Sequence, residues 1–171
     1  MYSSRVRLIL LLAAFAFAGN SFANGRITWI LAVVAAVAIA VGYFRSGTVW
    51  LAFQAWKSGH NERVCLLLDQ NRFPDWLSSQ SRAYFEFLRG LLASADERWL
   101  DAQAHFKAAL THRLRTDNDR SLVECYLATT MLNLGDPVGA RSKLTSAMSR
   151  AHKPEVDTLV NIVETALTKN D

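Results

Sequence analysis

The sequence predicts an all-α fold entered through an apolar N-terminal segment, and three observations carry that expectation. Residues 27–44 form a run of 18 residues without a charge. Farther on, 126–148 reads as two short amphipathic helices closed by a Gly135-Asp136-Pro137 turn. Leu127, Ala128, Met131 and Leu134 recur at helical spacing before the turn, and Val138, Ala140, Leu144 and Ala147 recur after it. The same pattern echoes upstream with a step of 38 residues. The expected architecture is an N-terminal transmembrane helix or helical hairpin, then three helical hairpins and a capping helix.

Residues 1–45 are expected to be a membrane anchor. Its only charged residues are Arg5, Arg7, Arg26 and Arg45. Arg5 and Arg7 precede an eleven-residue apolar run, 8–18, with small residues at Ser21 and Ala23. Such a run suits either a signal peptide, 1–23, or a short first span turning at Asn24-Gly25. Residues 27–44 read as a transmembrane helix, because at ~1.5 Å per residue they cover about 27 Å of a core of about 30 Å. Trp29 and Tyr43 fall at the two interfaces, and Arg26 and Arg45 close the borders. With the first segment spanning or cleaved, the chain beyond 45 stays cytoplasmic, and Arg45, Lys57 and Arg63 agree with the positive-inside tendency. A signal-anchor in the opposite sense is the one arrangement that would export it.

Charge partition reads the same way. The chain has 19 Lys+Arg and 15 Asp+Glu for a net charge of +4, and all four excess cations lie in 1–45. Residues 46–171 are formally neutral, so the basic pI is a topology signal and no nucleic-acid partner is expected. The two cysteines, Cys65 and Cys125, have no metal or disulfide spacing and read as two small buried side chains.

Within 46–171 the 38-residue step relates Ala52, Gly90 and Ala128; Val64, Ala102 and Ala140; and Leu68, Phe106 and Leu144. Gly59 and Gly135 stand two steps apart, with Glu97 between them. Three hairpins follow: 48–58 with 62–71, 79–94 with 98–111, and 121–133 with 137–150. A last helix over 153–169 has Pro154 in its first turn, Glu155 and Asp157 at its N-terminus, and a stripe of Val156, Leu159, Val160, Val163 and Leu167. That helix is the expected cap.

Gly90, Ala102, Phe106 and Ala109, then Leu127, Ala128, Gly135-Asp136, Ala140 and Ala147, resemble the spaced small and aromatic positions of tetratricopeptide repeats (TPR). The resemblance covers residues 47–153 and is specific in the second and third copies. It departs at Arg89, where the first helix usually has Leu, and at Asn71, where Ala is usual. The copies also exceed the family's length of about 34 residues, with the extra residues in loops at 72–78 and 115–119. The resemblance implies a short TPR-like α-solenoid acting as a protein-binding scaffold.

Catalytic chemistry has no foothold. His105 and His112 can share a helix face and Asp101 lies one turn before His105, yet that pattern reads as a solvated face. His60 sits in a turn and His152 beside a helix end. No phosphate loop, nucleophile elbow or zinc spacing occurs, so catalytic, cofactor and metal residues are expected to be absent. The resemblance implies a concave face lined by the first helix of each hairpin: Phe53, Trp56, Tyr84, Phe87, Leu91, Cys125 and Thr129. Rigid aromatics there would anchor an apolar peptide or partner helix, and the alternative is that they pack the core or against Trp50. The functional expectation is an adaptor or assembly factor, not an enzyme, that recruits protein partners at a bacterial inner membrane. The other reading is a structural accessory subunit held in a membrane complex mainly by its span.

Overall fold

The computed structural model describes residues 48–169 and, before them, the isolated helical positions 30, 33–35, 37 and 42. The expected signal peptide or first span, and all but those positions of the expected span 27–44, lie outside the described residues. Among the described residues, no helix is long and apolar enough to cross a membrane.

The described chain is all-helical. Helices α1 (Val49–Lys57) and α2 (Asn61–Asp69) form a first hairpin, and a single 3-10 turn (Pro74–Trp76) follows. Helices α3 (Ser79–Ala95) and α4 (Trp99–Thr111) form a second hairpin, and α5 (Asp117–Asn133) and α6 (Pro137–Met148) form a third. Helix α7 (Pro154–Lys169) closes the chain.

The 38-residue step is visible in the turns. Gly59 at φ 76°, Glu97 at φ 58° and Gly135 at φ 77° end the first helix of each hairpin in the left-handed region. Around them the same two hydrogen bonds recur. The amides of Gly59, Glu97 and Gly135 donate to the carbonyls of Trp56, Ser94 and Leu132, at 2.9, 3.1 and 3.0 Å. The next amides, of His60, Arg98 and Asp136, reach back to Ala55, Ala93 and Met131, each at 2.9 Å. This is the Schellman closure, which satisfies carbonyls that a helix end otherwise leaves without partners. Glycine adopts that backbone without penalty, whereas Glu97 holds it as a non-glycine residue.

Side-chain caps fix the other boundaries. Ser78 accepts from the Ser81 amide at 3.2 Å, and Asp136 accepts from the Gly139 amide at 2.8 Å with Pro137 in the first turn. Thr116 accepts from the Asp119 amide at 3.1 Å. That cap starts α5 at Asp117, four residues before the expected start at 121, because Thr116 and Asp119 are capping residues rather than loop filler.

The related triplets are buried in every copy: Ala52, Gly90 and Ala128; Val64, Ala102 and Ala140; Leu68, Phe106 and Leu144. Gly90 permits a close approach of α3 to α4. A Cβ there would stand 2.5 Å from Phe106 Cε1, and the Phe106 ring is fully buried, so a larger residue would have to displace it.

Helix α5 divides the interior. Val123 and Leu127 close the core built by the first two hairpins. Cys125 and Ala128, on the other side of the same helix, join Ala140, Leu144 and Ala147 of α6 with Val156, Val160, Val163 and Leu167 of α7. Helix α7 lies mainly along α5, burying the stripe its sequence marks, with Leu159 partly covered.

Candidate functional site

The aromatic residues assigned to a partner-facing surface come together, but mostly inside the molecule. Phe53, Tyr84 and Phe87 are 3%, 4% and 1% exposed. The Phe53 ring packs 4.8 Å from Tyr84, and Phe87 lies 5.3 Å from Trp56, 5.8 Å from Tyr126 and 6.1 Å from Phe106. Trp56 also meets Phe53 at 5.6 Å and Tyr126 at 6.4 Å. One aromatic cluster therefore joins all three hairpins. Burial removes four of them from contact with a partner. Phe53 of α1 and Tyr84 and Phe87 of α3 are buried in the core of the first two hairpins, and Cys125 of α5 is buried in the second core against α6 and α7. Trp56, Leu91 and Thr129 keep partial exposure. The Thr129 hydroxyl donates to the Cys125 carbonyl within its own helix, at 3.1 Å.

Trp56 and Leu91 share the wall of a cleft of about 430 Å³ between the first two hairpins. Leu88 and Leu92 line it with them, and Asn61, Glu62 and Cys65 of α2 line it together with Arg89 of α3 and Asp96 just past the end of α3. The cleft exists because α2 touches α3 over a short stretch, whereas the corresponding α4 packs broadly on α5. Cys65 is exposed here, which corrects the expectation of two buried cysteines. Cys125 is buried, and burial first, with the Glu124 charge second, pushes its thiol up to about 12. Arg89, the departure from the usual Leu, reaches out to Asp69 at 2.8 Å and lies over the Phe85 ring at 5.4 Å. Its charge stays at the rim while its stem covers apolar surface. A leucine-lined floor with an ionic rim has the makeup of a pocket for one apolar side chain and its polar surroundings.

Two of the four histidines, His105 and His152, have side-chain partners. His105 Nδ1 lies 2.7 Å from Glu86 Oε2, a pairing across α3 and α4 that the spacing to Asp101 had hidden; Asp101 instead takes Arg98 at 2.9 Å. His152 Nε2 lies 2.9 Å from Asp157, and its Nδ1 2.6 Å from the Arg150 carbonyl; these contacts favour the charged ring and raise its pKa. Among the described residues, no three His, Cys, Asp or Glu side chains gather as metal ligands would.

Glu86 is a buried carboxylate, 5% exposed, with Arg82 Nε 2.7 Å from its other oxygen. Burial works to raise its pKa, but the His105 hydrogen bond and the Arg82 charge outweigh it and hold the group below its ordinary 4.5. The unfolded chain binds this proton more readily than the folded one. Glu86 therefore stabilises the fold above its ordinary range, and that contribution is lost as pH falls through the lowered value. The denaturation midpoint should drop on acidification below 4.5, and Glu86→Gln should flatten the drop while lowering the midpoint at neutral pH. Identical acid profiles for the two proteins would contradict this role.

Compared with known proteins, the chain matches no family model, no curated protein and no solved structure.

Proposed function

We propose that this chain is a membrane-anchored adaptor whose helical domain, a short TPR-like α-solenoid, recruits a partner protein at a bacterial inner membrane. The recurrence of one turn geometry at Gly59, Glu97 and Gly135 supports the solenoid reading. The α2–α3 cleft, with partly exposed Trp56 and Leu91 on its wall, is the observation that carries the binding reading. Its occupant in this reading is an apolar side chain on a peptide or helix of the partner, with Glu62 and Arg89 meeting polar groups beside it. Anchoring by 1–45, with the helical domain on the cytoplasmic side, confines module and partner to two dimensions, so a modest contact suffices.

The test fills the cleft without touching the core. Cys65→Trp places a bulky side chain at an exposed helical position on the cleft wall. Full-length protein extracted in mild detergent should carry a co-purifying protein, identified by mass spectrometry, that is lost in Cys65→Trp at unchanged helicity. Retention of that protein at full yield would refute the cleft assignment.

The burial of Phe53, Tyr84 and Phe87 favours a second reading, a structural accessory subunit held in a membrane complex mainly by its span. Exchanging 1–45 for an unrelated anchor separates the two. An adaptor keeps its partner after the exchange, and an accessory subunit leaves its complex.

A further inference from the structure

The connection between the first two hairpins exposes an aromatic pair. Phe73 and Trp76 are 57% and 63% exposed, with ring centroids 5.6 Å apart. Pro74 starts the 3-10 turn that holds them, and the Arg82 guanidinium ties the turn down through Asp75 at 2.9 Å. This turn lies at the end of the molecule where the chain enters. The Asn71 side chain donates to Thr48 Oγ1 at 3.0 Å, and the Thr48 hydroxyl donates to the Leu67 carbonyl. Thr48 follows Arg45 by three residues, a reach of no more than about 10 Å. Phe73 is two residues from Asn71. The pair is thus held beside the point where the expected span 27–44 emerges.

Charge is distributed to match. The connections at this end are 70–78, 112–116 and 149–153, and they carry Arg72, Arg113, Arg115, Arg150 and Lys153 against Asp75 alone. Asp75 is bonded by Arg82, and Arg150 by Glu124. Asp117 and Asp119 open α5, and Glu155 and Asp157 open α7, just behind these loops. Arg115 also lies over the Trp50 ring at 5.9 Å, which places the second connection next to the start of α1. The connections at the opposite end, 58–60, 96–98 and 134–136, carry Asp96, Glu97 and Asp136 against Arg98. The connecting loops are therefore basic at the end toward the expected span and acidic at the other, the acidic first turns of α5 and α7 lying behind the basic loops.

We infer that this end rests on the bilayer, with Phe73 and Trp76 in the interfacial layer and Arg72, Arg113 and Arg115 on anionic phospholipid headgroups. Tryptophan favours that layer because its ring is apolar and its N–H is not, and cations near the surface add attraction to anionic lipid. The inference rests on the membrane-anchored reading above. It would set the orientation of the domain and keep the part of the α2–α3 cleft lined by Asp96 and Arg98 away from the lipid.

The test uses the full-length chain in vesicles of phosphatidylcholine, alone or mixed equally with phosphatidylglycerol. Retention on the vesicles after alkaline carbonate extraction reports the anchor by itself; release would overturn the anchored reading. In retained protein, the emission difference between wild type and Trp76→Phe isolates Trp76 from the other tryptophans. That difference should be quenched by lipid brominated in the upper acyl chain and spared by aqueous iodide. The bromine quenching should grow in the anionic mixture, and Arg113→Gln with Arg115→Gln should abolish that growth. A Trp76 quenched by iodide and indifferent to brominated lipid, in protein still retained on vesicles, would overturn the inference. So would a signal indifferent to both quenchers, since that places the ring against protein.

Discussion

Phe87→Ala should lower the unfolding free energy by about 3–5 kcal/mol. Phe87 is 1% exposed, and its ring touches Trp56 of the first hairpin, Phe106 of its own and Tyr126 of the third. Truncation removes one ring from the only aromatic cluster that spans all three, among the described residues, and leaves a void among rigid neighbours. Those neighbours sit on three other helices and cannot collapse together, so the cavity cost adds fully to the lost burial. Against a total of about 5–15 kcal/mol for a domain, this is a loss of about a fifth or more. Phe87→Leu retains most of the volume and should cost a fraction of that. Urea titration of both variants in detergent, followed by near-ultraviolet circular dichroism, gives the comparison. Equal midpoints for Phe87→Ala and wild type would mean that the ring does not hold the hairpins together.

The same environment explains how far the sequence could be read. Positions that recur at 38 residues are the ones each hairpin buries in the same way, and all three triplets are buried. The turns were legible for a similar reason: Gly59 and Gly135 advertise a left-handed backbone, and Glu97 is found only through its register between them. The aromatic face was not legible. Ala83, Tyr84, Phe85, Glu86, Phe87 and Leu88 are six consecutive buried residues. A helix enclosed on all sides has no polar face to mark which apolar face is free. Glu86 masquerades as a solvated position in that run, because its partners Arg82 and His105 are one turn and one helix away. The cleft at Cys65 was hidden for the opposite reason. How little α2 touches α3 depends on the geometry of the joining turn, which no periodicity records.

Arg150→Ala should cost about 3–5 kcal/mol, toward the lower figure. Glu124 is 3% exposed on α5, and Arg150 Nη1 lies 2.5 Å from its Oε2. The same nitrogen donates to the Ser146 carbonyl at 2.7 Å, and nearby the buried Ser121 hydroxyl donates to the Ala147 carbonyl at 2.9 Å. These bonds clasp the end of α6 to α5, where the chain turns toward α7. Removing Arg150 strands a buried carboxylate whose other cation, Arg120, stands 3.7 Å away, close enough to recover part of the loss. The cost is therefore one of stranding a charge rather than of deleting an attraction, and that distinction is testable. Replacing both partners, Glu124→Met with Arg150→Met, leaves no buried charge to strand and should restore a midpoint near that of the wild type. A double variant as unstable as Arg150→Ala would show that the contribution lies in the backbone contacts at Ser146 instead. Lys153, whose amide donates to Asn118 Oδ1 at 2.8 Å, lies three residues beyond the clasp. A loosened clasp should thus release α7 first, read as amide exchange rising at Val156 and Val160 before it rises in α3.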